Sequence, residues 1–207
     1  MNTTAKYGPQ AERWTEEAYA DPYGYLARRA RIVVELGPRL EPGDAVLDLA
    51  CGDGGFAEPL LERDLRYVGV DASEAMVEAA RRRLGVRAEI HLADLNEFRP
   101  EQPVAATTCF RAIYYARDRA AFFRRLASFT EKKFVFDLNP RQYRVEDVQA
   151  DLRAAGFHSL ALRPFFAPQR VGSRPLAAAL AALERVEPLA RLALRFRFSY
   201  LIAAARS

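Results

Sequence analysis

The sequence predicts an α/β protein in which a doubly wound, mostly parallel β-sheet is covered by helices on both faces. Short apolar runs alternate with stretches of helical periodicity, which is typical of parallel strands joined by helices. In addition, the first apolar run leads directly into a glycine-rich turn, 50–56, that a helix is predicted to follow. We therefore expect a three-layer α/β/α sandwich built on a seven-stranded sheet.

Two helices are predicted before the first strand, over 11–20 and 23–36. Asp21 and Pro22 lie between them, in the order expected of an N-cap followed by a proline at the first helical position. The region is rich in aromatic side chains, namely Trp14, Tyr19, Tyr23 and Tyr25. These side chains either pack the two helices onto the sheet or line a cover over a ligand, and both interpretations stay open at this point.

Strands and helices alternate through the rest of the chain. The predicted strands are 44–49, 67–70, 86–92, 104–110, 133–138, 158–165 and 196–203. The predicted helices between them are 56–63, 73–84, 119–129 and 145–155. No internal repeat or low-complexity linker interrupts this order, so we expect a single domain over 1–207.

An additional segment, 171–195, precedes the last strand. Its apolar residues recur at spacings of three and four from Leu176 to Leu192, which predicts an amphipathic helix. Pro188 is expected to divide it into two shorter helices. The segment either packs on the sheet or, because arginines line it, faces a partner or a lipid surface over 176–192.

The composition is typical of a globular protein with a sizeable core, since half of the 207 residues are hydrophobic. The net charge of +4 would permit nucleic-acid binding, but the arginines are interspersed with acidic residues along the whole chain. Two cysteines cannot form a disulfide scaffold, and a reducing, cytoplasmic setting is expected. No run approaches the roughly 20 apolar residues needed to span a bilayer, and no cluster has metal-ligand spacing.

The glycine-rich turn is the candidate ligand site. Gly52-x-Gly54-x-x-Ala57 fits a dinucleotide-binding motif, with Asp71 near the position of the usual ribose-binding acid. However, Asp48 ends the preceding strand, and its carboxylate would repel the pyrophosphate of a dinucleotide. The same carboxylate suits a ligand that presents an ammonium group.

The stretch 46–54 resembles the first motif of the class I S-adenosylmethionine-dependent methyltransferases, hydrophobic-Leu-Asp-hydrophobic-Gly-Cys-Gly-Thr-Gly. Two residues depart from it, because Ala50 replaces a glycine and Asp53 replaces a threonine. We expect the first change to be mild provided that Ala50 has a negative φ, and the second provided that Asp53 faces solvent. The resemblance implies a Rossmann-like fold whose last strand is antiparallel and inserted between strands five and six. It also implies S-adenosylmethionine as cofactor and S-adenosylhomocysteine as its product.

By the same resemblance, acids after three consecutive strands contact the cofactor. Asp71 accepts hydrogen bonds from both ribose hydroxyls, and Asp94 accepts one from the adenine amino group. From the residues alone, Asp71 could instead cap the helix that follows it. The implied cofactor-binding residues are Asp48, Ala50, Cys51, Gly52, Gly54, Asp71, Ala72, Asp94, Leu95, Cys109 and Phe110.

Polar side chains after the fourth and fifth strands are the candidates for contact with the methyl acceptor. They are Arg111, Tyr114, Tyr115, Asp137 and Asn139. Arg111 and Arg141 flank the same opening and could hold an acidic acceptor through bidentate hydrogen bonds. The Asn/Asp-Pro-Pro-aromatic sequence of enzymes that methylate amino groups of nucleic-acid bases is absent after strand four.

These observations predict methyl transfer to a small molecule. RNA methylation and binding of the cofactor without catalysis are the alternatives. The segment 1–40 is expected to act as a helical lid that excludes water from the reaction.

Overall fold

A computed structural model of the protein describes residues 11, 13–19, 21–139, 142–165, 174–183, 186, 188–189 and 199–206. Seven strands form one sheet: β1 (Ala45–Leu49), β2 (Arg66–Asp71), β3 (Glu89–Leu92), β4 (Val104–Cys109), β5 (Thr130–Leu138), β6 (Ser159–Phe165) and β7 (Ser199–Ala205). Their order is β3-β2-β1-β4-β5-β7-β6, and β7 is antiparallel to both of its neighbours. The pairs among β1 to β5 are parallel. The predicted doubly wound fold and the antiparallel insertion of the last strand are therefore confirmed.

The helices are α1 (Trp14–Ala18), α2 (Pro22–Glu35), α3 (Ala57–Leu61), α4 (Glu74–Leu84), α5 (Arg119–Ala127), α6 (Val145–Ala154) and α7 (Arg174–Leu183). The predicted start of α2 is confirmed in detail. Asp21 is its N-cap, and the carboxylate accepts a hydrogen bond from the Gly24 N–H (3.2 Å), while Pro22 occupies the first helical position.

The strand β1 shows how the two faces of the sheet are covered. All five of its residues are buried, as expected of a central parallel strand. Val46 belongs to the core formed with α2, α3 and α4 on one face. Leu47 and Leu49 belong to the core formed with α5 and α6 on the other face. Helices thus lie on both sides of the strand that leads into the glycine-rich turn.

Lys133 in β5 is fully buried. Its ammonium group donates hydrogen bonds to the carbonyl oxygens of Val34 (3.1 Å) and Leu36 (2.8 Å), at the C-terminal end of α2. Carbonyl groups at a helix end lack an intrahelical partner, so Lys133 caps α2. Burial and the neighbouring charge of Lys132 lower the pKa of Lys133 to about 8.

The third strand is shorter than predicted. We expected it to begin at Val86, but Gly85–Arg87 forms a 3-10 turn in which Val86 is exposed, and β3 begins at Glu89. Gly85, with a φ of 55°, ends α4 and redirects the chain before the strand can start.

The C-terminal part of the chain is described only in part. β7 extends two residues beyond the predicted end of the last strand, whereas 196–198 lie outside the described residues. Within 171–195, α7 ends before Pro188, and most of the remaining segment also lies outside them. The described residues include no helix long and apolar enough to cross a membrane.

Candidate functional site

The glycine-rich turn after β1 adopts a left-handed backbone at three positions. Ala50, Gly52 and Gly54 have φ values of 62°, 60° and 75°. Ala50 therefore does not meet the condition of a negative φ under which we expected its replacement of glycine to be mild. The chain turns sharply at this residue, and the next N–H, that of Cys51, donates to the carbonyl of Val70 in β2 (3.0 Å). A residue with a Cβ in this conformation costs about 1–2 kcal/mol.

Asp53, in the same turn, is buried. It therefore does not meet the condition that its side chain face solvent. Its carboxylate accepts hydrogen bonds from the N–H (3.1 Å) and the hydroxyl (2.6 Å) of Thr15 in α1. Arg83 of α4 forms an ion pair with it (3.0 Å) and with Glu16 (3.1 Å). Asp53 therefore links α1 to the turn. Thr15 and Asp53 are 38 positions apart in the sequence, and the motif alone does not predict their contact.

Asp48, within β1, is almost completely buried and hydrogen-bonded. Its carboxylate oxygens accept from the hydroxyl groups of Tyr67 (2.7 Å) and Thr108 (2.6 Å). Burial raises the pKa of Asp48 to about 6, although these two hydrogen bonds and the charge of Arg29 oppose the rise. At neutral pH the group is mainly a carboxylate and can attract a cation.

Asp71 is the last residue of β2 and lies beside the turn. Its carboxylate accepts hydrogen bonds from the backbone N–H groups of Gly52 and Ser73, both at 2.9 Å. Burial raises its pKa, while the hydrogen bonds oppose the change. The N-cap of α4 is Ser73, so Asp71 does not occupy the capping position that the sequence left open.

Asp94 follows β3 and is partly exposed. It accepts hydrogen bonds from the N–H and the side-chain amide of Asn96, both at 2.8 Å, and forms an ion pair with Arg117. Burial alone would raise the pKa of Asp94, but these hydrogen bonds and the charge of Arg117 lower it. Because β1, β2 and β3 are neighbours in the sheet, the acids of the three strands follow one another along its carboxyl edge.

The remaining predicted cofactor residues lie around the turn and after the same strands. Ala72 is exposed, whereas Leu95 and Phe110 are buried. Burial raises the pKa of the thiols of Cys51 and Cys109, which disfavours the thiolate that a nucleophilic cysteine needs. In the part of the chain that the structure describes, no group of three or more His, Cys, Asp and Glu side chains could hold a metal ion.

Two of the acceptor-side candidates, Arg111 and Asp137, meet at the carboxyl ends of β4 and β5. The N–H of Arg111 donates to the Asp137 carboxylate (2.6 Å). Arg111 has a φ of 55°, and strained residues of this kind concentrate at functional sites. Burial raises the pKa of Asp137, while the N–H of Arg111 and the charge of Arg29 oppose the rise.

The other acceptor-side candidates have different surroundings. Tyr114 and Tyr115 are partly exposed, with ring centroids 4.3 Å apart. The carbonyl of Tyr115 accepts a hydrogen bond from the side chain of Asn96 (3.1 Å), which places this pair beside the loop after β3. Asn139 is exposed after β5, and Arg141 lies outside the described residues.

Arg29 of α2 lies close to the predicted site residues but was not predicted with them. Its guanidinium is buried at the same edge of the sheet, 4.4 Å from the ring centroid of Phe110 and 4.6 Å from that of Tyr25. One nitrogen donates to the hydroxyl groups of Tyr25 and Tyr19, whereas Nε has no hydrogen-bond partner. A buried donor without a partner indicates a missing acceptor. One feature of the sequence could have indicated Arg29. It lies on the face of α2 that is buried and otherwise apolar.

The N-terminal aromatic residues differ in their surroundings. Tyr19 and Tyr25 are buried and stacked, with centroids 4.1 Å apart, whereas Tyr23 is exposed. Trp14 covers the turn, since its ring lies 3.6 Å from where a Cβ on Gly52 would be.

Comparison with known proteins matches residues 46–133, from β1 into β5, to the family model described as a methyltransferase domain. A 92-residue segment is 32% identical to a dTDP-4-amino-2,3,4,6-tetradeoxy-D-glucose N,N-dimethyltransferase of Saccharopolyspora spinosa, and a 95-residue segment is 39% identical to a trans-aconitate 2-methyltransferase of Sinorhizobium fredii. Each match covers 44% of this chain and 36% of the relative. A shorter match, 52% identical over 42 residues, is to a 23S rRNA (uracil(1939)-C(5))-methyltransferase of Alkalilimnicola ehrlichii and covers 20% of this chain and 9% of the relative. The chain therefore spans about a third or less of the length of these curated relatives.

The fold itself is similar to that of a magnesium protoporphyrin IX methyltransferase from Synechocystis PCC 6803, solved with bound S-adenosylmethionine. The two structures superpose with a TM-score of 0.61 at 19% identity, over 100% of this chain and 85% of the other.

Proposed function

We propose that this chain is a class I S-adenosylmethionine-dependent methyltransferase, which transfers a methyl group from that cofactor to a small-molecule acceptor. The observation that supports this most strongly is the row of Asp48, Asp71 and Asp94 along three adjacent strands, beside a left-handed turn. The two longer sequence matches are to enzymes whose names specify small-molecule substrates.

The charges of the described residues fit the cofactor. Asp71 and Asp94 offer acceptors for the ribose hydroxyls and the adenine amino group. Asp48 and Arg29 offer opposite charges at the same edge for the ammonium and the carboxylate of the methionine moiety. A ligand carboxylate would also satisfy the unpartnered Nε of Arg29.

When bound, S-adenosylmethionine supplies a methyl group on a sulfonium whose sulfur leaves as a neutral thioether. The chain itself has to align the acceptor and exclude water, and orientation alone can lower a barrier by up to about 7–11 kcal/mol. The lid role proposed for 1–40 is supported by Trp14, which lies over the turn, and by the hydrogen bond that joins α1 to Asp53.

Calorimetric titration with S-adenosylmethionine tests the cofactor site. Asp71→Ala should weaken binding by about 1.5–3 kcal/mol, the contribution of hydrogen bonds to a charged group. Asp147→Ala, an exposed aspartate in the first turn of α6, is the matched control and should bind as the wild type does. Unchanged affinity in Asp71→Ala removes this residue from the site. A wild-type protein that binds a nicotinamide or flavin nucleotide and ignores S-adenosylmethionine overturns the proposed function.

RNA methylation is the second candidate, favoured by the net charge of +4 and the short match to an rRNA methyltransferase. It predicts RNA binding that weakens steeply as salt increases. A filter-binding series without RNA retention at low salt excludes it. A cofactor-binding protein without catalysis is the third candidate, and transfer of labelled methyl to any small-molecule fraction of an extract excludes that one.

We further propose that the protein acts in the cytoplasm, where its two free, buried cysteines would stay reduced. Contact with a lipid surface through 176–192 is supported by the exposed apolar side chains of Val186 and Leu189. Liposome co-sedimentation that is the same with and without 171–195 would contradict this contact.

A further inference from the structure

The short helix α1 is held against the glycine-rich turn by one buried carboxylate. Asp53 accepts hydrogen bonds from both the N–H (3.1 Å) and the hydroxyl (2.6 Å) of Thr15. The N–H of Thr15 belongs to the first turn of α1, where backbone donors have no partner within the helix. The position of Thr15 therefore depends on Asp53 and not on the hydrogen bonds of the helix itself.

The turn also has the shape that this contact requires. A Cβ on Gly55 would lie 2.3 Å from the hydroxyl oxygen of Thr15 and 3.0 Å from its Cβ, so a side chain at position 55 would push Thr15 away from Asp53. Arg83 of α4 completes the contact, because it is paired with Asp53 (3.0 Å) and with Glu16 of α1 (3.1 Å). We call Thr15, Asp53 and Arg83 the α1 clasp.

The clasp keeps Trp14, the neighbour of Thr15, over the first part of the turn. The Trp14 ring lies 3.6 Å from where a Cβ on Gly52 would be, which is ordinary van der Waals contact and leaves no space for a ligand between the two residues. Gly52 donates its N–H to Asp71 (2.9 Å), so the covered surface adjoins the carboxylate proposed to bind the ribose. A cofactor that packs on this part of the turn can enter only after Trp14 has moved away.

α1 is too short to keep its position without the clasp. It has five residues, and its N-cap, Arg13, makes no side-chain capping hydrogen bond. Isolated helices of fewer than about 12–15 residues are marginal in water. Tyr19, directly after α1, is stacked on Tyr25 of α2 with ring centroids 4.1 Å apart, so α1 can move while α2 stays in place. Loss of the contact with Asp53 would therefore release α1 together with Trp14.

Resting on the proposed function, we infer that Asp53 is a positioning residue of a gate: through Thr15 it holds α1 closed over the turn, and exchange of S-adenosylmethionine and its product requires this contact to open. The family motif has threonine at this position, so the gate depends on a residue in which this chain departs from the motif. A closed α1 keeps water from the reacting methyl group. The clasp closes over the empty and the occupied site alike, because the proposed cofactor contacts include neither Asp53 nor Thr15.

Such a gate affects rates and leaves affinity unchanged. If α1 opens with the same equilibrium constant in the empty and the occupied protein, the association and dissociation rate constants are both reduced by the fraction of time that the gate is open. Their ratio, the Kd, is then the same with and without the clasp. A residue that binds the cofactor would instead change the Kd, and one that only stabilises the fold would change neither rate constant.

Stopped-flow fluorescence of Trp14, the single tryptophan of the sequence, measures both rate constants with S-adenosylhomocysteine as ligand. Asp53→Thr restores the residue of the family motif and removes the carboxylate. Both rate constants should rise at least about tenfold, the effect of losing a hydrogen bond to a charged group, while the Kd changes less than about threefold. Thr15→Val loses the hydroxyl alone and should show rises of about 5- to 30-fold. Thr15→Ser keeps both donors and should behave as the wild type does.

Gly55→Ala disrupts the clasp by a different route, because it removes no polar group and only displaces Thr15. It should accelerate exchange in the same way. Without ligand, the Thr15 amide should be protected from hydrogen exchange in the wild type and lose this protection in Asp53→Thr and Gly55→Ala. Glu78→Ala, which removes an exposed ion pair with Arg82 on α4, is the matched control and should leave both rate constants unchanged. If Asp53→Thr does not fold, Thr15→Val and Gly55→Ala carry the test.

Wild-type rate constants in Asp53→Thr, Thr15→Val and Gly55→Ala overturn the gate and leave the cofactor site standing. A faster dissociation alone, with weaker binding, overturns it as well, because Asp53 would then support the bound cofactor. A faster association alone, with tighter binding, also contradicts the inference, since the clasp would then close only over the empty site. Failure of the wild type to bind S-adenosylmethionine and S-adenosylhomocysteine would instead overturn the proposed function, so the two failures are distinguishable.

Discussion

Removal of the Asp53 carboxylate tests how firmly the turn holds α1. Asp53→Ala leaves the N–H and hydroxyl of Thr15 without an acceptor and takes one carboxylate from Arg83. Hydrogen bonds to a charged group contribute about 1.5–3 kcal/mol, and breaking a buried ion pair costs about 3–5 kcal/mol. Because Arg83 keeps Glu16 (3.1 Å) and Glu58 (3.9 Å) nearby, its charge stays compensated. We therefore expect the free energy of unfolding to fall by about 3 kcal/mol, the value at which these two ranges meet.

Urea unfolding followed by circular dichroism measures this loss. Thr15→Val removes the hydroxyl alone and should cost about 1–2 kcal/mol, and combining it with Asp53→Ala should show a coupling of at least about 1 kcal/mol. Glu101→Ala, an exposed acid in the loop before β4, should stay within about 0.5 kcal/mol of wild type. A loss below about 0.5 kcal/mol in Asp53→Ala, or strictly additive costs in the double variant, would refute the role assigned to this contact.

Further expectations concern Ala50, Lys133 and Asp48. Ala50→Gly should raise the free energy of unfolding by up to about 1 kcal/mol, since the relief of left-handed strain exceeds the added entropy of the unfolded chain, and a lower urea midpoint would contradict the φ of 62°. For Lys133, the folded-state pKa of about 8 lies below the ordinary value of 10.5, so the folded chain releases the proton first and stability should rise with pH between these two values. Lys133→Met should lack this rise. If the free energy of unfolding changed with pH in the same way in both proteins, the lowered pKa of Lys133 would be contradicted. Affinity for S-adenosylmethionine should fall as the pH drops through about 6, because Asp48 is then protonated and no longer attracts the ammonium. Asp48→Asn should bind more weakly and without that step, and calorimetry at several pH values distinguishes the two.

The fold and the placement of the acids were predictable because their signals are local. Each parallel strand is a short apolar run with its own flanking turn, and the helices between them show one apolar stripe each. In such a sheet, residues that follow the strands meet at one edge, so Asp71 and Asp94 could be placed before their contacts were known. The start of α2 was also predictable, since the Asp21-Pro22 pair has a specific capping geometry.

The errors at Ala50 and Asp53 arise from contacts between distant parts of the chain. The φ of Ala50 depends on how the turn meets β2, and the burial of Asp53 depends on α1, which precedes it by more than 30 residues. Arg29 was missed for a related reason. It stands among other arginines over 28–31, and only its burial between aromatic rings distinguishes it from its neighbours.

The cap that Lys133 places on α2 has a consequence for how ligands are bound. The end of the helix is hydrogen-bonded to a residue of the central sheet, and its first turn is capped locally by Asp21, so the helix that carries Arg29 is stabilised at both ends. The guanidinium of Arg29 therefore has few conformations available, and it should lose little conformational entropy when it binds an anion. The contact of Arg29 with an anion should therefore add more to the affinity than the same contact made by a surface arginine.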